Sequence, residues 1–202
     1  MKTVAFVSAL AIGLAFGATA NAEPIRIVAF GDSNTAAYRV DPNKGYPANL
    51  ERLLRARGHD VVVTNGGVSG AKSADGVRTV DQLVPAGTDI AIVFFGRNDK
   101  RWSVKEADTR ANIDAIVARL TARHVEVLLA GYWAYDFSAI ATAHGAAYYP
   151  QFFDGVAVNG RKRLQYVLTF DPLSHLNAAA YLVVAERIAP AVERLIARVK
   201  GR

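Results

Sequence analysis

Ser33 follows an abrupt change in the chain from apolar to small polar residues. Residues 25–30 are almost all apolar, the run stops at Gly31, and residues 32–35 are small and polar. A near-continuous apolar run is typical of a strand buried on both faces of a parallel sheet, and glycine permits a sharp turn after it. Because open α/β sheets bind ligands at the C-terminal ends of strands, Ser33 is a candidate nucleophile. The alternative is a structural cap at the start of a helix, since serine favours that position too.

A serine hydroxyl becomes a good nucleophile only when an adjacent base takes its proton and a third group orients that base. Three of the four histidines end predicted helices just before strands, at the edge opposite Ser33, where the helix dipole favours a cation. These three are His59, His124 and His144. His175 instead precedes the last predicted helix, on the Ser33 edge, and Asp171 could orient its imidazole.

Acyl transfer to an activated serine would also require N–H donors aimed at the developing oxyanion, each typically worth about 3 kcal/mol. The loops after the second and third predicted strands offer two of them, the backbone N–H of Gly70 and the side-chain amide of Asn98. The N–H of Ser33 would be a third. Taken singly, a glycine in a turn and an asparagine in an Asx turn are ordinary structural features. Together, the successive strand ends supply the groups that acyl transfer requires.

Predicted strands alternate with predicted helices along the chain. The strands are residues 25–30, 61–64, 89–95, 125–130 and 146–149, and the helices are residues 46–57, 71–84, 104–123, 137–144 and 176–199. This alternation predicts an α/β fold, a three-layer αβα sandwich around a five-stranded parallel sheet of doubly wound, flavodoxin-like order. Residues 150–175 form the one long irregular stretch, and such loops are more often functional than idle.

Residues 1–22 have the pattern of a secretory signal peptide. A short cationic start precedes an apolar block at residues 4–18 and an A-x-A ending at residues 20–22, which predicts cleavage after Ala22. A membrane anchor is disfavoured because the apolar block is shorter than the roughly 20 residues that span a bilayer. We therefore expect a secreted or periplasmic protein without stable membrane insertion, whose single domain is residues 23–202.

Composition narrows the chemistry further. The chain of 202 residues has no cysteine, so a thiol nucleophile is excluded, and no His/Asp/Glu cluster has metal-ligand spacing. The net charge is +6, but the cations are not interleaved with aromatics, and the Arg161–Arg163 run is typical of a solvated loop. We therefore expect no metal, no cofactor and no nucleic-acid partner. The sequence leaves the oligomeric state open.

Four short motifs resemble those of the SGNH, or GDSL-like, hydrolase family. They are residues 31–34 (Gly-Asp-Ser-Asn), 67–70 (Gly-Val-Ser-Gly), 96–99 (Gly-Arg-Asn-Asp) and 175–178 (His-Leu-Asn-Ala). The resemblance covers the whole mature chain and is closest to the small exported bacterial branch of arylesterases, lysophospholipases and thioesterases. It implies a carboxylic ester hydrolase that acts on small-molecule esters through an acyl-enzyme. Ser33 would be the nucleophile, His175 the base, and Ser33, Gly70 and Asn98 the oxyanion donors.

Two residues depart from the family pattern. The family usually has its acid three residues before the histidine, but Pro172 stands there, and Asp171 is four before. Either the loop carries one extra residue and Asp171 still reaches His175, or a backbone carbonyl orients the imidazole. We favour Asp171, because a buried carboxylate stabilises the imidazolium that forms during attack. Arg97 stands where many relatives have glycine, and it places a positive charge near the oxyanion or points to solvent.

Aromatic residues in loops near the strand ends could line an acyl or aryl pocket, although about half should belong to the core. They are Tyr46, Trp102, Tyr132, Trp133, Phe137, Phe152 and Phe153. The predicted pocket residues are Arg97, Trp102, Tyr132 and Trp133. The substrate class stays open between an acyl or aryl ester and an acetylated carbohydrate. Two non-enzymatic alternatives are a flavodoxin-like module that holds a phosphate on residues 33–35 and a sugar-binding or surface-attachment protein of the same fold.

Overall fold

The computed structural model describes residues 23–169, 171 and 175–202, so the predicted signal peptide and Pro172 lie outside the described residues. Five parallel strands form the main sheet in the order β2-β1-β3-β4-β5. They are β1 (Ile25–Gly31), β2 (Val61–Gly67), β3 (Ile90–Phe94), β4 (Glu126–Ala130) and β5 (Ala147–Tyr149). This order confirms the doubly wound, flavodoxin-like sheet expected from the sequence.

Helices cover both faces of the sheet. They are α1 (Tyr46–Ala56), α2 (Ser73–Leu83), α3 (Arg97–Arg101), α4 (Glu106–Ala122), α5 (Ser138–Ala143) and α6 (Ala178–Lys200). Helices α1 and α6 pack together on one face, and α2 and α4 pack together on the other, which gives three layers. Among the helices of the described ranges, none combines the length and the apolar character needed to cross a bilayer.

The C-terminal ends of β2, β1 and β3, three neighbouring strands, lie side by side at one edge of the sheet. Gly31, the last residue of β1, is in register with Gly67 of β2 on one side and Phe94 of β3 on the other. Every residue of β3 is buried, as expected for a strand covered on both faces. The loops that leave β1, β2 and β3 therefore start within one strand spacing of each other.

Strand β2 is three residues longer than predicted. Residues 65–67, expected to be loop, pair with residues 29–31 of β1. Glycine makes this possible, because a Cβ built on Gly67 would lie 2.2 Å from the backbone nitrogen of Ala36, in the turn after β1. The sheet edge and that turn can approach each other only where the side chain is missing.

No helix follows Ser33, which corrects the expected strand-to-helix turn. Residues 32–40 form successive turns, and Ala37 and Arg39 have φ angles of 57° and 58°. Two left-handed residues interrupt helical propagation, so the next α-helix begins only at Tyr46. Ser33 is therefore not a helix cap, and the alternative of a phosphate held on residues 33–35 loses the helix N-terminus that it required.

The sequence analysis had predicted that residues 150–175 are irregular throughout. The structure corrects this, because part of the stretch forms a hairpin. Strands β6 (Ala157–Val158) and β7 (Arg161–Lys162) form an antiparallel hairpin. Its turn residues, Asn159 and Gly160, both have positive φ, 48° and 73°, as an Asn-Gly hairpin turn requires. Strands of two residues are too short for alternation to reveal them.

Candidate active site

Ser33, His175 and Asp171 form one continuous chain of hydrogen bonds. The Nε2 atom of His175 lies 3.0 Å from the Ser33 Oγ, and its Nδ1 lies 2.7 Å from the Asp171 Oδ2. This geometry suits a neutral imidazole that donates its Nδ1–H to the carboxylate and accepts the serine O–H at Nε2. Ser33 and His175 retain only 7% and 8% of their exposure, so both reactive groups are shielded from bulk water.

The segment before α6 fixes the position of His175. Its carbonyl accepts from the N–H of Leu168 at 2.8 Å, and the N–H of Asn177 donates to the carbonyl of Tyr166 at 3.0 Å. The side chain of Asn177 caps α6 by accepting from the N–H of Ala180 at 3.0 Å. His175 is thus held between a capped helix and a bonded loop.

Burial lowers the pKa of His175 below its ordinary value of 6.5, because it disfavours the charged ring, while Asp171 acts in the opposite direction. The imidazole is consequently neutral near pH 7 and can accept a proton. The ring of Tyr38 lies 4.6 Å from the imidazole, centroid to centroid, and covers one side of it. Asp171 also accepts from the backbone N–H of His175, so one carboxylate oxygen holds both the loop and the ring.

The expected oxyanion donors lie on loops that are bonded to one another. The Asn98 side-chain amide donates to the carbonyl of Ala71 at 2.8 Å, and this residue directly follows Gly70. Within the described ranges, the backbone N–H groups of Ser33 and Gly70 donate to no protein acceptor. Gly70 has φ +81°, and a Cβ built on it would meet nothing within 4 Å, so its N–H borders open space. The other N–H of the Asn98 amide is available for a ligand.

Asp32 lies directly behind the candidate nucleophile and is fully buried. Its Oδ1 accepts from the backbone N–H and the side-chain amide of Asn34, at 2.8 and 3.0 Å. Burial raises the pKa of Asp32, while the Asn34 bonds and the nearby cations Arg97 and Lys162 oppose that rise. The carboxyl therefore organises the turn that carries Ser33 rather than presenting a free charge to a substrate.

A cavity of about 480 Å³ opens beside α3, the short helix that carries Asn98. It is lined by Arg97, Lys100, Arg101, Tyr132, Trp133 and Ala134. Three of the four predicted pocket residues therefore share one cavity, and Trp102 lies outside its lining. Trp102 is 65% exposed and packs against the guanidinium of Arg101, 5.5 Å from its ring centroid. Of the other loop aromatics, four are core residues: Tyr46, Phe137, Phe152 and Phe153.

Lys162 is a site residue that the sequence analysis missed. The Arg161–Arg163 run had suggested a solvated loop, and Arg161 and Arg163 are indeed exposed. The hairpin, however, turns Lys162 inward, so that its Nζ lies 4.6 Å from the ring centroid of Phe153. Burial, with Arg97 nearby, lowers the pKa of Lys162 to about 7. The Asn-Gly pair before this run could have predicted the hairpin and the alternating side-chain directions.

Two other histidines have ordinary structural partners. His59 lies 3.3 Å from Glu193, and His144 lies 2.8 Å from Asp114, at the edge opposite Ser33. In the part of the chain that the structure describes, no group of three or more His, Asp or Glu residues could hold a metal ion.

A buried serine, imidazole and carboxylate at the C-terminal edge of a flavodoxin-like sheet define a serine hydrolase of that fold. The chain belongs to the GDSL-like lipase/acylhydrolase family, whose sequence model matches residues 29–183. Members of this family are carboxylic ester hydrolases.

Named relatives agree with this family. The chain is 26% identical over 147 residues to esterase TesA of Pseudomonas aeruginosa, covering 64% of this chain and 72% of the relative. It is 33% identical over 75 residues to an arylesterase of Vibrio mimicus, covering 37% and 38% of the two chains. The crystal structure of TesA superposes with a TM-score of 0.72 at 25% identity, over 84% of this chain and 99% of TesA. AlinE4, an SGNH-hydrolase family esterase, gives 0.68 at 28%, over 86% and 97%.

Proposed function

We propose that this protein is a serine esterase that hydrolyses carboxylic esters of small molecules through an acyl-enzyme intermediate. Ser33 is the nucleophile, His175 the general base and Asp171 the group that orients the base. The observation that supports these roles is the hydrogen-bond chain from Asp171 through His175 to the Ser33 hydroxyl. The family and its named esterases agree with this chemistry.

The reaction proceeds in two steps. The Ser33 Oγ attacks the ester carbonyl carbon while the His175 Nε2 takes its proton, and the Asp171 carboxylate stabilises the imidazolium that forms. As the tetrahedral intermediate collapses, the imidazolium returns the proton to the departing alcohol, which leaves an acyl group on Ser33. A water molecule, deprotonated by His175, then attacks that acyl group, and the imidazolium returns the proton to the Ser33 oxygen as the carboxylic acid is released.

The N–H groups of Ser33 and Gly70 and the side-chain amide of Asn98 are the proposed donors to the oxyanion. Two features support this assignment. Both backbone N–H groups lack an acceptor among the described residues, and the bond from Asn98 to Ala71 fixes the amide while leaving one N–H for the substrate. Each such donor typically contributes about 3 kcal/mol of transition-state stabilisation.

The nucleophile is tested with Ser33→Ala. We expect hydrolysis of p-nitrophenyl acetate to fall by at least about 10³-fold, because the remaining groups cannot form an acyl-enzyme. A fluorophosphonate probe should label the wild type at Ser33 and not label the variant. The matched control is Ser138→Ala, at the start of α5, which should keep both the turnover and the labelling. Full turnover by a folded Ser33→Ala variant would refute the assignment, and an unlabelled wild type would favour a binding protein without chemistry.

We further infer that the protein is exported and that cleavage after Ala22 produces the mature chain. The cationic start, the apolar block and the A-x-A ending support this inference. The mature domain from Glu23 then contains the whole sheet and every candidate site residue. It belongs with the small exported esterases of the family.

A further inference from the structure

We propose that the cavity beside Asn98 binds a carboxylate carried by the ester substrate itself. The inference rests on the proposed esterase function and specifies its substrate class, an aryl or acyl ester with a second, anionic group. Two observations support it. Three cations without acidic partners among the described residues line the cavity, and aromatic rings pack against one of them, Arg97.

The three cations of the cavity come from one short helix, α3. Within the described ranges, the side chains of Arg97, Lys100 and Arg101 form no ion pair and no hydrogen bond with another residue. Arginines on the helical faces behave differently, as Arg110 pairs with Glu106 at 2.7 Å and Arg198 with Glu126 at 3.4 Å. The three cationic side chains of α3 can therefore bind an anionic ligand without breaking an ion pair among the described residues.

No carboxylate lines this cavity. Asp99, in the same helix, is fully buried on the other side, where its Oδ2 accepts from the backbone N–H of Ser73 at 2.9 Å. Asp32 interacts electrostatically with Arg97, and burial raises the pKa of Asp32. The positive potential of the cavity is therefore only partly offset by the protein's own acids.

Aromatic rings hold the guanidinium of Arg97. Its Cζ lies 5.9 Å from the ring centroid of Trp133 and 5.3 Å from that of Phe153. An arginine stacked in this way keeps its N–H edge free for the two oxygens of a carboxylate. Lys162 approaches the same Phe153 ring, and Arg97 is one cause of its lowered pKa, so an anion placed here would relieve repulsion between two cations.

The cavity is linked to the candidate oxyanion site through helix α3, which carries both Arg97 and Asn98. Arg97 directly precedes the oxyanion donor Asn98, and the hydroxyl of Tyr132 donates to the carbonyl of Gly96 at 3.2 Å. In this proposal, a group bound to Arg97 is carried by the same molecule whose ester reacts at Ser33. The indole of Trp133, 41% exposed, offers a face on which an aromatic ring of that molecule can stack.

Two matched substrate pairs test the inference and distinguish which side of the ester carries the anion. The aryl pair is 4-acetoxybenzoate and 4-acetoxybenzamide, and the acyl pair is the mono-4-nitrophenyl ester of glutaric acid and 4-nitrophenyl pentanoate. The measured quantity is the ratio of kcat/KM for the anionic ester to that for its neutral partner. Intrinsic differences in leaving-group reactivity cancel when this ratio is compared between enzyme variants.

We expect Arg97→Gln to lower this ratio at least tenfold in one of the two pairs, mainly through a higher KM for the anionic ester. The control Arg194→Gln removes an equally unpaired, exposed arginine near the far end of α6 and should change neither ratio by more than twofold. The double variant Lys100→Gln/Arg101→Gln leaves the aromatic contacts of Arg97 intact and should lower the same ratio. It replaces Arg97→Gln as the test if that variant does not fold.

The inference is overturned if the kcat/KM ratio of each substrate pair is the same in the wild type and in these variants. That result would leave the esterase assignment unaffected. A wild type that cleaves neither neutral ester would contradict the proposed function, and with it this inference.

Discussion

At the scale of single residues, the question is whether a carboxylate four positions before His175 can still orient the imidazole. Asp171 precedes His175 by four positions, and its Oδ2 still lies 2.7 Å from the Nδ1 of the imidazole. The same oxygen accepts the backbone N–H of His175. A single carboxylate therefore sets both the rotation of the ring and the path of the chain, and a shift of one position in the sequence does not require a different orienting group.

Asp171→Asn tests this orienting role. The amide keeps the shape of the side chain but cannot stabilise the imidazolium, so kcat should fall well beyond tenfold, or more than about 1.4 kcal/mol in the barrier. Asp171 raises the pKa of His175 against the effect of burial, so its loss should also move the acid limb of the pH profile to lower pH. Both changes are measured with p-nitrophenyl acetate between pH 4 and 8.

The control is Asp154→Asn, an exposed acid of the same segment that lies 4.0 Å from Arg187. In this variant, the acid limb of the pH profile should lie at the same pH as in the wild type. A loss below tenfold in Asp171→Asn, with an unmoved limb, would mean that another group orients the imidazole.

Sequence analysis could find Ser33, His175 and Asn98 because each stands at a strand end or a helix start, where periodicity fixes the edge of the sheet. The pairing of Asp171 with His175 was favoured on chemical grounds rather than from periodicity, and Lys162 was missed. Their positions depend on how an irregular segment folds back, and hydrophobic periodicity carries no signal for that.

At the scale of elements, the contact between β2 and the turn after β1 positions the nucleophile. A side chain at Gly67 would overlap backbone atoms of that turn, at 2.2 Å from the nitrogen of Ala36 and 2.6 Å from the carbonyl carbon of Thr35. The neighbouring Gly66 has more room, because its nearest contact would be 3.2 Å, to the oxygen of Ala29. Two adjacent glycines of one strand thus differ sharply in what they allow.

Gly67→Ala should cost about 1–3 kcal/mol, because backbone atoms cannot yield as a side chain does. In a domain of this size each kcal/mol lowers Tm by about 2–4 °C. Fluorophosphonate labelling of Ser33 should slow as well, since the turn that carries it must shift. Gly66→Ala provides the comparison. It should lower Tm and the rate of fluorophosphonate labelling less than Gly67→Ala does. Equal melting temperatures for Gly67→Ala and the wild type would contradict this contact.

The elements that sequence analysis missed are all short. Helix α3 has five residues and the hairpin strands have two each, so neither spans enough of a period to be recognised. The five main strands and the long helices were predicted because burial on a sheet imposes a pattern over many residues. Helix α3 carries the three cavity cations, of which the sequence analysis had predicted Arg97 as a pocket residue and had missed Lys100 and Arg101.

At the scale of the whole molecule, part of the net charge of +6 lies at one edge of the sheet. Many arginines of the helical faces pair with carboxylates, and the cations of α3 and Lys162 gather at the C-terminal edge of the sheet. Composition alone could give the size of this excess but not its place, since ion pairing depends on which surfaces meet.

Export of the chain is tested by the mass of the protein recovered outside the cytoplasm of a bacterial host. We expect a mature chain that begins at Glu23, and Ala22→Arg should block processing because the cleavage site requires a small residue there. Cytoplasmic protein of full length from the unmodified gene would contradict the signal peptide.

The proposed nucleophile and its proposed base are separated by 142 positions, one in the turn after the first strand and the other just before the last helix. A polypeptide still being synthesised, or one clipped before residue 175, carries the serine without the imidazole. Chain order therefore makes the proposed reactivity of Ser33 depend on a chain that extends beyond residue 175. Its reactivity begins only when the C-terminal helix has docked, so acquired activity is a reporter of completed assembly.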